Sequence, residues 1–244
     1  MDVTALAGLN PFGIFDVEAA RLDYFFAALD EEGWNRPSRC AGWTVQDVLA
    51  HLAGEELYNH ACLNGDLDGF RAMLRAKGIT GGYDEFNAWC VRQRRGLPVA
   101  EVLAEWRMAN AETRHRMTLL GRDSPLATAA GPYPVGLQAL HYSSEYATHA
   151  DDVGAPVAPG EEPGRTAWRA SFGRYALEEQ NTPLKISYEA ARQAFAVPVP
   201  GSSVISYEAA RQAFAVPVPG SSVIWWSGWP GVDVAGRARL APWP

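Results

Sequence analysis

The sequence predicts a mainly α protein: a four-helix bundle followed by a small C-terminal α/β appendage. Three observations predict it. Four long segments within the first 153 residues carry apolar side chains at helical spacing. Clusters of glycine and proline separate them by connections of medium length. Beyond Gly154 the chain changes character and turns to proline-rich, β-branched stretches.

The first helix is read from Asp16 to about Glu32, with Ala19, Leu22, Phe25, Phe26 and Leu29 on one face. Gly33, Pro37 and Gly42 mark a connection. Thr44 begins the second helix, because a hydroxyl there can cap a free N–H and Asp47, three residues on, can cap in return. Val45, Val48, Leu49, Leu52 and Leu57 give this helix its buried stripe. Residues 66–77 are read as a short helix ended by the Gly81-Gly82 turn, and Tyr83 to about Arg95 as another. A long helix over Val99 to Leu120 turns Val102, Leu103, Trp106, Ala109, Met117 and Leu120 inward. Gly131, Pro132 and Pro134 separate it from the last bundle helix, Val135 to Val153.

This reading assigns residues 1–158 to the bundle and 159–244 to the appendage. GAPVAPGEEPG, from Gly154, is a linker or surface loop, and a helix follows over about Arg165 to Glu179. The tail holds a tryptophan cluster, Trp225, Trp226 and Trp229. Within it an exact 19-residue tandem duplication occurs: residues 186–204, ISYEAARQAFAVPVPGSSV, recur unchanged as 205–223. Repeat architectures need about three copies and diverge, so two identical copies read as a tolerated peripheral insertion. The other reading is an extra hairpin or a lid.

A formal charge of −7 without a basic stripe argues against nucleic acid and anionic membranes as partners. No apolar run reaches the ~18 residues of a membrane span, and the N-terminus lacks a basic leader region. Cys40, Cys62 and Cys90 are odd in number and far apart, which reads as reduced thiols of a cytoplasmic protein. The expected state is a monomer or homodimer acting on a small molecule.

The residues that carry chemistry lie on two helices. Glu145 and His149 are four apart and project from one side of the last bundle helix. Asp152, three further on, can accept the imidazole N–H that is not on a metal. His141 lies four before Glu145 on the same face. On the second helix His51 sits between Val48 and Leu52, on the apolar side. One inward histidine facing an inward Glu/His pair is a way bundles assemble metal sites. Two imidazoles and a carboxylate suit Zn²⁺ and also accept Ni²⁺, Mn²⁺ or Fe²⁺, and three ligands leave a position open for chemistry. Glu55, four after His51, is either a neighbour of that site or a solvated helix acid. Trp43, Tyr142, Tyr146 and His141 are candidate pocket walls, with Trp43 equally suited to the core.

AGWTVQDVLAHLAGEE, from Ala41 to Glu56, resembles the signature of the DinB-like, mycothiol-dependent maleylpyruvate isomerase family. EYATHADDVGAP, from Glu145 to Pro156, resembles that family's Glu-x3-His-x2-Asp element. The resemblance covers about residues 15 to 156. It implies a DinB-type bundle with a smaller C-terminal domain, and a metal, usually zinc, on His51, Glu145 and His149. It further implies mycothiol, a low-molecular-weight thiol of actinobacteria, as cosubstrate for a small electrophile. The chain departs from the pattern where relatives carry an Arg shortly before the metal-binding Glu: it has His141-Tyr142-Ser143-Ser144 there. The family's isomerase also uses an Arg of its C-terminal domain, and Arg237 and Arg239 are the tail's candidates. A thiol-dependent transferase or isomerase is thus the leading expectation. A hydrolase or cyclase of the same fold without a thiol is the second, and a non-enzymatic binding protein the third.

Overall fold

The computed structural model describes residues 3–179 and the backbone of residues 187–189 and 194–196. The second duplicated copy, the tryptophan cluster, Arg237 and Arg239 lie outside the described residues.

Residues 11–156 form one compact unit. Its elements are α1 (Pro11–Ala27), α2 (Glu31–Asn35), α3 (Val45–Asn64), α4 (Leu67–Ala76), α5 (Tyr83–Arg94), α6 (Val99–Leu120), β1 (Pro125–Thr128), β2 (Gly131–Pro134) and α7 (Val135–Val153). The four long helices α1, α3, α6 and α7 make the bundle: α1 packs along α7, and α3 along α6. Helices α4 and α5 pack on α3. The core is aromatic between α1, α6 and α7, where Phe26 meets Trp106 edge-on and Phe15 meets Tyr146 edge-on.

Local chemistry sets the helix ends. Pro11 takes the first position of α1, where its missing N–H costs nothing. Thr44 and Asp47 form a complete capping box at α3. Gly65 and Gly154 close α3 and α7 in the left-handed region, at φ 65° and 72°, and return N–H bonds to the last-turn carbonyls. Helices α3 and α5 touch at Gly54, where a Cβ would fall 2.3 Å from that of Cys90.

Three expectations need correction. The first helix does not run to Glu32. It stops at Ala27, and Asp30 caps the separate helix α2 by accepting from the Gly33 N–H. Leu57 and Leu120 are 41% and 45% exposed and do not belong to buried stripes. Residues 131–134 are more than a separator: they are strand β2, paired antiparallel with β1, Leu126 opposite Tyr133.

A second unit joins the first ten residues to the segment from Val157 onward. It holds a 3₁₀ turn (Val3–Leu6), helix α8 (Glu162–Glu179) and the antiparallel strands β3 (Ser187–Glu189) and β4 (Ala194–Ala196), with Ser187 opposite Ala196. Leu6 and Phe172 are fully buried.

Candidate metal centre

Helix α7 explains why the site can be dry. Of its 19 residues, 16 are buried, so polar side chains on it must find partners inside the protein. Glu145 and His149 stand one turn apart there, and the α3 capping box fixes the phase that turns His51 inward beside Val48 and Leu52. His51 is 0% exposed, His149 1% and Glu145 6%. Glu145 Oε1 lies 3.2 Å from His51 Nε2 and 3.8 Å from His149 Nε2. The two rings meet edge-on with centroids 4.9 Å apart. One donor atom from each of the three lies within 4.8 Å of the other two.

The surroundings hold these groups in place. His149 Nδ1 is 3.2 Å from Asp152 Oδ2, so the sequence-expected acceptor is in position. The loop between α2 and α3 folds over the same corner. Its Arg39 N–H donates to the Asp152 carbonyl, and Cys40 Sγ donates to Asp152 Oδ2 at 3.3 Å. Ser38 braces the loop by donating to the Trp43 carbonyl and accepting from the Cys40 N–H. The Trp43 ring lies 5.2 Å from that of His51. Glu55 Oε1 is 3.5 Å from His51 Nε2 on the other side.

This donor set fits a divalent cation. His149 Nε2 and His51 Nδ1 are buried and have no hydrogen-bond partner among the described residues. A buried unpaired nitrogen is costly. At His149 Nε2, facing Glu145 beyond hydrogen-bond reach, an ion would remove the cost. Nitrogen and carboxylate oxygen donors suit Zn²⁺ and its divalent neighbours.

The model of the mycothiol maleylpyruvate isomerase N-terminal domain family matches residues 15–154. The chain belongs to this family. No curated protein and no solved structure matches it. The matched segment contains the first block that resembles the family signature, the second as far as Gly154, and every residue of the candidate centre.

Within the candidate centre the two carboxyl groups, Glu145 and Glu55, are pushed apart in pKa. Burial alone would raise the Glu145 pKa, but the nearby His149 imidazole and the His51 hydrogen bond outweigh it and hold the group well below the usual carboxylate range. Burial raises Glu55, and the nearby Glu145 charge raises it further. The imidazoles also diverge. Burial lowers His51. Burial would lower His149 too, but Asp152, Cys40 and Glu145 together raise it well above its ordinary value.

Other expected residues serve elsewhere. His141 Nε2 pairs with the Tyr133 hydroxyl on β2 at 3.2 Å. Tyr142 is 2% exposed and packs on Phe15, within the core. Tyr146 belongs to a buried polar network that sequence reading missed. At its centre is Glu56, which accepts from Asn59, Asn110, Thr113 and Tyr146 at 2.5–3.2 Å. Trp106 Nε1 donates to the Tyr146 hydroxyl, and Arg114 Nε donates to Asn110 Oδ1. The network ties α3, α6 and α7 together one residue from Glu55 and one from Glu145. A signal existed: Asn110 and Thr113 sit one turn apart on the inward face of α6.

Proposed function

We propose that this protein is a metal-dependent enzyme, with zinc the first choice of metal, that uses mycothiol as cosubstrate to isomerise or conjugate a small electrophilic substrate. One observation carries the reading. It is the buried His51–Glu145–His149 cluster, with an unpartnered His149 nitrogen facing its carboxylate, inside the segment that the isomerase family matches.

A divalent cation with an open position supplies a thiol nucleophile at neutral pH by lowering the thiol's pKa. The chain's own residues do the remaining work. His51 Nε2, Glu145 Oε1 and His149 Nε2 are the ligand atoms. Asp152 accepts the Nδ1–H of His149, which selects the tautomer that keeps Nε2 free. Glu55 stands beside His51 as a proton-holding group. Trp43 packs against the His51 ring. Addition of the thiol to an electrophilic carbon followed by its expulsion gives isomerisation, and its retention gives conjugation.

A second reading, a hydrolase or cyclase without a thiol, is favoured by Glu55, a second carboxyl placed for acid–base work on water. We further take the chain up to residue 158, without the first ten residues that group with the second unit, as the metal-binding domain, and place the protein in the cytoplasm, consistent with three free cysteines. No helix among the described residues is long and apolar enough to cross a membrane.

Elemental analysis of purified wild type beside Glu145→Ala tests the centre. We expect about one equivalent of metal in wild type and a large loss in the variant. A metal-free wild type that also refuses added zinc would overturn the reading. With zinc loaded, selective binding of mycothiol over a plain alkyl thiol supports the thiol cosubstrate; equal weak binding of both favours the second reading.

A further inference from the structure

His149 offers its two ring nitrogens to two different sets of groups. Nε2 faces Glu145 and His51. Nδ1 lies 3.2 Å from Asp152 Oδ2 and 3.8 Å from Cys40 Sγ, and that sulfur is 3.3 Å from the same Asp152 oxygen. Donor atoms of Cys40, His149 and Asp152 lie within 4.8 Å of one another, close enough for one ion to touch all three. A thiolate, an imidazole and a carboxylate make a softer set than the triad, suited to Zn²⁺ and Cd²⁺.

The two sets differ in access. The triad is sealed, while Cys40 is half-buried, on the loop between α2 and α3. A cation from solvent therefore meets other groups before the triad. Glu55 also flanks the triad, with its side chain 14% exposed, but it brings one carboxylate. The Cys40 side brings three ligands.

The two sets share one ring. A neutral imidazole has one lone pair to give, on one nitrogen at a time. Full occupancy of one set therefore excludes full occupancy of the other, which suits a hand-over better than two resident ions.

We propose that Cys40, Asp152 and His149 Nδ1 form a capture site that loads the cation into the His51–Glu145–His149 triad. The inference rests on the metal-dependent reading above. Capture forms bonds from the ion to sulfur, Nδ1 and a carboxylate oxygen. The Cys40 thiol proton leaves to solvent, and the ring exchanges its Nδ1 proton for one on Nε2, so the imidazole stays neutral. Hand-over reverses this: Cys40 regains a proton from solvent, Nε2 releases its proton as Nδ1 regains one, and Nε2 takes the ion with Glu145 and His51. No oxidation state changes.

The test follows Cd²⁺ uptake by chelator-stripped, full-length protein. Stopped-flow absorbance reads the thiolate–cadmium band, and an indicator reads the free ion. In wild type the band rises and then falls while uptake runs to completion. In Cys40→Ala the band is absent and uptake is several-fold slower, yet the final bound cadmium equals that of wild type. Cys62→Ala, which removes a buried thiol outside every ligand cluster among the described residues, loads like wild type. Circular dichroism checks that each variant folds. Loading of Cys40→Ala at the wild-type rate overturns the capture site. So does a thiolate band that persists, or loss of final cadmium in Cys40→Ala, since either makes Cys40 a resident ligand. If wild type binds no cadmium, the metal-dependent reading falls first, and the slow-but-complete signature separates the two cases.

Discussion

Asp152 Oδ2 receives two donors at once, the Nδ1–H of His149 and the thiol of Cys40. An Asn at this position can still accept through its oxygen, so the ring stays oriented, but the charge that strengthens the imidazole as a ligand is gone. Asp152→Asn should therefore lower metal affinity by roughly 10–100-fold, read by chelator competition, with little change in thermal midpoint. The pairing of Glu145 with His149 was legible because four-residue spacing on a helix puts two side chains on one side. His51 was legible because a histidine between Val48 and Leu52 breaks an apolar stripe. The contact of Cys40 with His149 spans 109 positions and left no local pattern. Glu56 was hidden for a different reason. At about 100° per residue, the stripe of Leu49 and Leu52 continues through Glu56 and Asn59, both buried. A reading that expects apolar residues passes over them to Leu57, which lies outside.

At the scale of elements, the start of α3 is held electrostatically as well as by its cap. Asp47 caps Thr44 and takes a two-pronged bond from Arg95, at 2.8 and 3.0 Å. Burial would raise the Asp47 pKa, but the Arg95 and Thr44 bonds bring it below its usual 3.8. The sign follows from linkage. The folded carboxylate is favoured while pH exceeds the unfolded pKa, and this contribution disappears as pH falls through the lower, folded value. Wild type should lose more thermal stability than Asp47→Asn between about pH 5 and about pH 3. At neutral pH the variant should be less stable by on the order of 1 kcal/mol, because Arg95 is largely solvated. The starts of α6 and α7 follow directly on Pro98 and Pro134, and Pro134 was among the separators that marked the second of them. The end of α1 was not, because Asp30 competes by capping α2 with a bond no periodicity displays. The β1–β2 pair was masked by Pro132 and Pro134, which read as turn residues but are tolerated in a two-stranded ribbon that has open edges.

For the molecule as a whole, every residue of the candidate centre lies within residues 11–156, one of the two compact units. A protein of residues 11–158 should fold cooperatively and take up metal with the stoichiometry of the full chain. Thermal melts and elemental analysis check this, and a shortened chain that neither melts cooperatively nor binds metal would contradict the proposed boundary. The bundle was readable because four amphipathic segments leave few other ways to bury their faces. The joining of the first ten residues to the segment after Val157 was not, because it depends on pairing across almost the full described length. The close Gly54–Cys90 packing belongs to a difference in burial that sets how the three thiols age in air. Burial pushes Cys90 up to about 12 and Cys62 up to about 11, where thiolate is scarce. Sulfur at position 90 also lies close against the α3 backbone at Gly54. Oxidant should mark Cys40 first, and a modified Cys90 is the trace of a bundle that had already come apart.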